Sequence, residues 1–215
     1  MRIVTILQTR ALHALHPGSS EFTPAHVQAL QRQVEQYAPF ASFECLTNAH
    51  VPGVDCKPLE HNWPGWFAKM NLFSPSMKGD FLFMDLDTVI SGDLSDILAV
   101  DKLTLLRDFY RDGVKLKEGL GGALCFFPEA TRAQVWEYWI KNPLLAMRMA
   151  GHKGDMEIFE RFYRNTADRW QDVVPGQIVS WKVNCTHGIP PEARVICFHG
   201  QPRPWAVGQF HHLYR

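Results

Sequence analysis

Two aspartates, Asp85 and Asp87, directly follow the apolar run FLFM at 81–84. Four consecutive apolar residues predict a buried strand, and open α/β sheets bind ligands at the carboxyl ends of their strands. Two carboxylates at this spacing can converge on one hard divalent cation, with Mg²⁺ and Mn²⁺ as the first candidates. Acidic pairs also occur at strand ends as solvated turn residues, so the pair taken alone gives only weak support for a metal site.

The pattern around these aspartates fits two enzyme classes. Phosphatases of the haloacid dehalogenase type use an apolar strand followed by DxDx(T/V), which Asp85, Asp87 and Val89 match, with the first aspartate as nucleophile and the second as general acid. Nucleotide-sugar-dependent glycosyltransferases of the GT-A fold use DxD carboxylates to hold a metal that neutralises the leaving diphosphate. The phosphatase nucleophile normally lies near the N-terminus, whereas 84 residues precede Asp85.

A late segment, CFHGQPRPW at 197–205, carries side chains that could complete such a site. His199 could join Asp85 and Asp87 as a metal ligand, because imidazole is an acceptable ligand for manganese. Arg203 could hold phosphate oxygens with its planar guanidinium. A histidine taken alone is more often a core residue, but the company of the DxD pair favours the ligand interpretation.

The surrounding pattern predicts an α/β fold with a mostly parallel central sheet. A strand at 2–7, a helix that Thr23 caps and Pro39 ends, and a strand at 42–46 give the strand–helix–strand order of a parallel crossover. Further strands are predicted at 81–84, 103–106, 123–127 and 194–198, with helices near 67–73, 131–141 and 155–164. Without repeats or a linker, the simplest organisation is a single domain over 1–215.

Composition excludes several classes of protein. Apolar residues make up 46% and charged residues 20% of the chain, which is too apolar for disorder, and no apolar run is long enough for a transmembrane segment. Lys plus Arg (22) and Asp plus Glu (22) cancel, so no overall field attracts nucleic acid or anionic lipid, and any polyanion must be held locally. Five scattered cysteines are expected as reduced, mostly structural thiols. Without a signal peptide at the N-terminus, we expect a cytoplasmic protein.

Five segments in order resemble family 8 glycosyltransferases, the glycogenin-like and lipopolysaccharide-galactosyltransferase-like enzymes, and especially their short bacterial members. The segments are WPGWFAKMNLF (63–73), FLFMDLDTVISGDLSDIL (81–98), GGALCFF (121–127), GDMEIF (154–159) and FHGQPRPW (198–205). The resemblance implies a GT-A fold. It also implies transfer of a hexose, with retention, from a nucleoside diphosphate sugar, in the first instance a UDP-sugar, to a saccharide or glycolipid acceptor.

The resemblance assigns roles at the metal and phosphate end of the site. It implies that Asp85, Asp87 and His199 bind Mn²⁺ (or Mg²⁺), and that Lys69 meets the phosphate or ribose of the donor. Arg203 replaces the lysine of the family's HxxGxxKPW ending and keeps its positive charge. The remaining positions implied for donor binding are Gln8, Thr9, Asn48, Gly121, Gly122 and Gly200.

At the sugar end, the resemblance implies that Asp155 recognises the donor sugar or acts in catalysis. The family usually has glutamine at the next position, where this chain has Met156, so that side chain's role is not inherited. Asp155 could also, or only, cap the helix that follows it, and Gly121 and Gly122 could be turn residues before a strand. The missing glutamine also leaves open a catalytically silent nucleotide-sugar-binding module.

Aromatic and mixed-charge residues are weaker candidates for sugar contact. Trp63 and Trp66 lie in a Pro/Gly loop where their faces could stack on a sugar, whereas Trp136 and Trp139 share a helical stripe and are expected in the core. The stretch 107–112 follows a predicted strand and could touch the acceptor.

Overall fold

The computed structural model describes residues 1–9, 22–110 and 119–214. Its strands are β1 (Arg2–Leu7), β2 (Ser42–Thr47), β3 (Cys56–Pro58), β4 (Phe81–Met84), β5 (Thr88–Ile90), β6 (Thr104–Arg107), β7 (Leu120–Phe127), β8 (Asp168–Arg169), β9 (Ile178–Ser180) and β10 (Val195–Cys197). Its α-helices are α1 (Pro24–Tyr37), α2 (Ser95–Leu98), α3 (Ala133–Lys141), α4 (Pro143–Ala150), α5 (Asp155–Tyr163), α6 (Trp170–Val173) and α7 (Trp181–Asn184). Short 3-10 helices cover Gly65–Phe73, Glu129–Thr131, Gly151–Lys153, Pro204–Ala206 and Gly208–Tyr214.

Seven strands form the central sheet in the order β3-β2-β1-β4-β7-β6-β8. Strand β7 runs antiparallel to its neighbours β4 and β6, and every other neighbouring pair is parallel. Successive residues of a strand face opposite sides of a sheet, and here Leu82 and Phe83 belong to two different buried apolar clusters. The sheet is therefore covered on both faces, and the predicted α/β fold is confirmed.

Helix α1 packs where its apolar stripe predicts. It begins after Thr23, whose backbone N–H donates to Nδ1 of His26 at 3.0 Å, and its residues Val27, Leu30 and Val34 are buried. These three side chains belong to the same apolar cluster as alternate residues of β1 and β4. The helix thus covers one face of the strand that leads to Asp85.

A second sheet of three strands, in the order β5-β10-β9, follows the DxD motif. Strand β5 begins directly after Asp87 and pairs antiparallel with β10, with Thr88 opposite Cys197. This register brings the residues that follow β10, among them His199, beside Asp87. The sequence predicted a strand at 194–198 but neither β5 nor β9, because three-residue strands are too short to show a period.

The segment before β4 is a helix, as predicted near 67–73, and it is of the 3-10 type over Gly65–Phe73. The buried guanidinium of Arg132 supports the turn that follows it, donating to the carbonyl oxygens of Leu72 at 3.3 Å, Met77 at 2.6 Å and Gly79 at 2.7 Å. It also lies 4.7 Å from the ring centroid of Phe81, the first residue of β4. One arginine therefore fixes the approach to the strand that carries the aspartates.

In the described ranges, no helix combines the length and the apolar character needed to cross a membrane. The five cysteines are free, as the sequence predicted, and four of them are buried.

We predict that Arg132→Met lowers the free energy of unfolding by about 3 kcal/mol, because the carbonyl oxygens it bonds would be left buried without donors. Urea denaturation followed by tryptophan fluorescence measures the change. Arg148→Met, at an exposed arginine, is the matched control and should change stability by less than about 0.5 kcal/mol. Equal effects of the two substitutions would contradict the role assigned to Arg132.

Candidate functional site

A cavity of about 510 Å³ opens where β1 and β4 end and β7 begins. Because β7 is antiparallel to β4, the start of β7 lies beside the end of β4, and the backbone N–H of Asp85 donates to the carbonyl of Ala123 at 2.9 Å. Of the predicted site residues, those lining the cavity are Gln8, Lys69, Asp85, Asp87, Gly121, Gly122, Asp155, His199, Gly200 and Arg203. Segments far apart in sequence thus share one site.

Lys69 joins two carboxylates at the bottom of this cavity. Its Nζ lies 2.9 Å from Oδ2 of Asp85 and 2.9 Å from Oδ2 of Asp155, and it donates to the carbonyl of Gly122 at 3.1 Å. The contact with Asp155 is an ion pair by distance, without the alignment of a full hydrogen bond. The ammonium also lies 5.2 Å from the ring centroid of Phe83. The lysine side chain is 10% exposed and that of Asp155 is 6% exposed, so their charges are screened little by water.

Burial and charge act against each other in this cluster. Burial alone would lower the pKa of Lys69, but the negative charges of Asp155 and Asp85 outweigh burial and raise it above the ordinary lysine value. Burial raises the pKa of Asp85 to about 7, with Lys69 opposing the rise and the charges of Asp87 and Asp155 adding to it. The lysine therefore carries a full positive charge at neutral pH.

Gly122 makes room for this cluster. A methyl group on Gly122 would lie 2.8 Å from Oδ2 of Asp155, 3.0 Å from Cε2 of Phe159 and 3.3 Å from Nζ of Lys69. The resemblance implied that Gly122 binds the donor. In the structure, the Asp155 carboxylate occupies the space that a side chain of residue 122 would need. Gly121 has a slightly longer nearest contact, since an added methyl carbon would lie 3.1 Å from Cβ of Leu106.

Asp155 does not cap its helix, so that alternative is wrong. The cap is Gly154, and Asp155 is the first helical residue of α5. A side chain on Gly154 would collide with the indole of Trp66, whose Cε3 would lie at 2.5 Å, and the positive φ of 59° also suits glycine. The glycine lets the chain turn so that the carboxylate points to Lys69, where the positive end of the helix also favours it.

Asp87 forms a second ion pair, with Arg203. The guanidinium carbon of Arg203 lies 5.1 Å from the ring centroid of Phe22, which fixes the arginine from its other side. Burial raises the pKa of Asp87, and the positive charge of Arg203 opposes that rise. The pair follows from the second sheet, whose register brings the two segments together.

His199 is held by β9. Its Nε2 lies 2.9 Å from Oγ of Ser180, and its ring packs near Phe109 and Tyr110 with centroids 5.4 and 5.8 Å away. Burial, with the positive charge of Lys182, lowers the pKa of His199. The imidazole is therefore neutral at neutral pH, which is the form that binds metal ions.

The predicted metal ligands line the same cavity without forming a ligand group. Lys69, Arg203 and Ser180 hold Asp85, Asp87 and His199 respectively. Across 1–9, 22–110 and 119–214, no three His, Cys, Asp or Glu side chains converge as a metal site would require. The donor types fit a hard divalent cation, since Lys69 bonds only Oδ2 of Asp85 and the histidine is neutral. Metal binding stays a prediction.

Of the three residues predicted to bind the nucleoside, Gln8 lines the cavity, whereas Thr9 and Asn48 do not. Gln8 lines the cavity, and its Nε2 donates to the carbonyl of Trp63 at 2.8 Å, while its buried Oε1 has no hydrogen-bond partner among the described residues. Thr9 donates to Oδ1 of Asn48 from its backbone N–H at 3.0 Å and its hydroxyl at 3.3 Å. This pair ties the ends of β1 and β2 together beside Gln8.

Some of the aromatic and charged residues predicted to contact the sugar or the acceptor line the cavity, and others do not. Trp66 lines the cavity, whereas Trp63 packs against the fully buried Trp139, which lies in the core as expected. From the stretch 107–112, the lining residues are Asp108, Phe109 and Tyr110, and 111–112 lie outside the described residues. His152 and Lys153 also line the cavity and were missed, although they directly precede the GDMEIF segment.

Comparisons with known proteins identify the fold. The chain matches no protein-family profile and no curated protein. Its solved neighbours include the glycosyltransferase GlyE of Streptococcus pneumoniae TIGR4 (TM-score 0.66, 14% identity) and the bifunctional glycosyltransferase WbbM (0.59, 12%). The galactosyltransferase LgtC, solved with donor and acceptor sugar analogs, has a TM-score of 0.57 at 13% identity. The chain therefore has the GT-A fold of these glycosyltransferases, as predicted.

The matches differ in how much of each protein they cover. The matches with GlyE and with WbbM each cover 99% of this chain. They cover 58% of GlyE and 48% of WbbM, so the chain spans about half the length of these proteins. With LgtC, the match covers 100% of this chain and 95% of that protein.

Replacing Lys69 by Met should remove the charge that balances the buried carboxylate of Asp155 and the partly buried carboxylate of Asp85, whose side chain is 27% exposed. We expect the free energy of unfolding to fall by about 2–4 kcal/mol at neutral pH, because Asp155 would stay buried without a counter-ion and water would screen only part of the charge of Asp85. Denaturant unfolding measures the loss, and Lys102→Met, at an exposed lysine, is the control.

This loss should grow with pH. Lys69 lowers the pKa of Asp85, so the variant's Asp85 has a pKa above the present value of about 7, against about 4 when unfolded. A folded-state carboxyl that keeps its proton costs stability as the pH rises above the unfolded value. Between pH ~4 and ~7 the wild type also keeps this proton and loses stability at the same rate, so the deficit through Asp85 should be constant there and should increase above pH ~7, where only the wild-type Asp85 ionises. Adding Asp155→Asn should restore part of the stability, and a deficit independent of pH would contradict the ion-pair explanation.

Gly122→Ala should disturb the same cluster from the backbone side. The new methyl group would push Asp155 from Lys69, and we expect a loss of about 1–3 kcal/mol in the free energy of unfolding. Gly208→Ala is the control, because its methyl group would have no neighbour within 4 Å. Thermal unfolding of both variants tests this, and equal melting temperatures would disprove the close approach.

Proposed function

We propose that the protein is a metal-dependent glycosyltransferase that transfers a hexose from a UDP-sugar to an acceptor hydroxyl with retention. The GT-A fold supports glycosyl transfer as the type of reaction. The observation that carries the metal dependence is the charge of the buried cluster. Three carboxylates, Asp85, Asp87 and Asp155, lie with two cations, Lys69 and Arg203, so the cluster has an excess of negative charge once Asp85, with its pKa of about 7, is ionised.

A diphosphate would be repelled by that excess. In the proposed site, Asp85, Asp87 and His199 would hold Mn²⁺ or Mg²⁺, which reverses the sign of the cluster and neutralises the charge on the leaving nucleotide. Lys69 and Arg203 would add positive charge beside the diphosphate, and the planar fork of Arg203 suits phosphate oxygens. Catalysis would thus be mainly electrostatic, from charges fixed before the donor binds.

Asp155 would face the transferred sugar. Lys69 contacts its Oδ2, so Oδ1 remains outside that pair to accept hydrogen bonds from sugar hydroxyls. Met156 also lines the cavity and has no hydrogen-bonding group, so any polar contact at the anomeric centre must come from other residues. We assign Asp155 to donor-sugar recognition on this basis.

Gln8 would contribute to binding the uracil or the ribose. A buried carbonyl oxygen without a donor is costly, and Oε1 of Gln8 lacks a donor among the described residues. A ring N–H or a hydroxyl of the nucleoside would satisfy it. Thr9 and Asn48 would support this end of the cavity through the bond between them.

The two alternative functions, a phosphatase and a catalytically silent binding module, have less support than the glycosyltransferase. The phosphatase hypothesis rested on the local DxDxV pattern, and the GT-A fold favours the glycosyltransferase instead. A catalytically silent nucleotide-sugar-binding module keeps one supporting feature, Met156. Turnover separates it from the enzyme, because only the enzyme releases UDP from a UDP-sugar.

We predict that UDP binds in the presence of Mn²⁺ and not in its absence. Asp87→Asn and His199→Gln should each weaken UDP binding at least about tenfold, because loss of a ligand should cost no less than loss of an outer-shell partner. Isothermal titration calorimetry on metal-free protein, with and without added Mn²⁺, measures both effects.

Asp101→Asn and His50→Gln are the matched controls, since both residues are exposed. Their UDP affinity should equal that of the wild type. Metal-independent UDP binding would disprove the assigned metal dependence. Hydrolysis of a phosphomonoester that is lost in Asp85→Asn, without UDP binding, would replace the glycosyltransferase by the phosphatase.

A further inference from the structure

The two cations assigned to the diphosphate are each held by carboxylates inside the cavity. Lys69 contacts Asp85 and Asp155, and Arg203 contacts Asp87. A cation that is already paired attracts an incoming phosphate less strongly, because the neighbouring carboxylate repels the same phosphate. A further cation at this end of the cavity, outside these ion pairs, would meet a phosphate without that repulsion.

Lys182, in the short helix α7, lies beside this end of the cavity. Its Nζ would be 3.9 Å from a methyl carbon placed on Gly200, and Gly200 lines the cavity. The lysine is half-buried, and it forms no ion pair with a carboxylate of the described residues 1–9, 22–110 and 119–214. Its ammonium is therefore available to an anion in the cavity.

The charges that act on His199 show which sign prevails there. The positive charge of Lys182 lowers the pKa of His199, and the negative charge of Asp108 opposes it with a smaller effect. Asp108 follows β6, and its Oδ1 accepts a hydrogen bond from the backbone N–H of Tyr110 at 2.9 Å. Lys182 follows β9, in the other sheet. The larger of the two charge effects beside His199 is thus that of the lysine.

Helix α7 is fixed to the second sheet, so the position of Lys182 is set by the fold. Oγ of Ser180, the last residue of β9, accepts from the backbone N–H of Val183 at 3.4 Å and caps the helix. The indole of Trp181 stacks on the ring of Phe198, with centroids 5.5 Å apart and an interplanar angle of 14°. These contacts tie the lysine to the segment that directly follows β10.

We propose that Lys182 binds the diphosphate of the donor nucleotide through its ammonium. An ammonium is a compact charge with three N–H donors, which suits phosphate oxygens that approach from different directions. Gly200, whose φ of 62° suits glycine, has no side chain to fill the space beside the ammonium.

Lys182 would then act together with Lys69 and Arg203 but from a different element of the fold. When the bond between the sugar and the diphosphate breaks, negative charge develops on the leaving diphosphate, and a fixed ammonium stabilises it. This inference rests on the proposed function. It adds to the site a residue that lies between the fourth and fifth of the segments that carry the family resemblance.

Calorimetric titration of UDP in the presence of Mn²⁺ tests the assignment. Lys182→Met should raise the dissociation constant of UDP about tenfold, because a charge-assisted contact with phosphate is lost. Lys182→Arg keeps the charge and should stay within about threefold of the wild type. Added NaCl should weaken UDP binding more in the wild type than in Lys182→Met, since the variant has one fewer cation to screen.

Lys102→Met is the matched control, because Lys102 is exposed and precedes β6, at the edge of the sheet opposite the cavity. It should bind UDP like the wild type. Thermal unfolding should show equal stability for all variants, because Lys182 has no ion pair with the described residues to lose. Wild-type affinity in Lys182→Met would overturn the inference, as would an equal loss in Lys182→Arg, which would show that the positive charge is not what binds.

The same titrations with ADP and GDP separate this inference from the proposed function. Manganese-dependent binding of UDP that Lys182→Met leaves unchanged would overturn the role of Lys182 and keep the proposed function. If the wild type binds ADP or GDP instead of UDP, and Lys182→Met weakens that binding, the proposed donor is wrong and the role of Lys182 is supported. Binding of none of the three diphosphates would overturn both.

Discussion

The positive charge of Lys69 holds Asp155 in a buried position and Asp85 in a partly buried one at one end of the sheet. A buried carboxylate loses several kcal/mol of hydration, and here a close counter-ion offsets that loss. The surrounding structure follows from this requirement. The 3-10 helix Gly65–Phe73 carries the lysine beneath the cavity, and Gly122 has no side chain because the Asp155 carboxylate fills that space.

The second ion pair depends on a different part of the fold. Asp87 meets Arg203 only because β5 and β10 pair in one register, so a slip of one residue would turn the following side chains to the other face. The central sheet and the small sheet thus each deliver one carboxylate of the DxD motif to its own cation. This division explains why the two aspartates, although two residues apart, have separate partners, and why a shared cation would have to draw them together.

The sequence predicted those parts of the site that depend on local pattern. The strand before Asp85, the stripe of α1 and the α/β order follow from periodicity, and the structure confirms them. The contact between Lys69 and Asp155 depends on how distant segments pack, which no local spacing encodes. A helix cap was the alternative interpretation of Asp155 because aspartate is common there, but any side chain at Gly154 would collide with Trp66, and the cap is glycine.

The orientation of helix α4 is another feature that local sequence pattern does not predict. Its sequence, PLLAMRMA, has Arg148 as its single charged residue among seven apolar ones, so periodicity gives little indication of which face the core receives. Close packing of α4 on its neighbours selects the small side of the helix, because Ala146 and Ala150 permit a closer approach than leucine would. The leucines and Met149 are then left outside, beside Arg148.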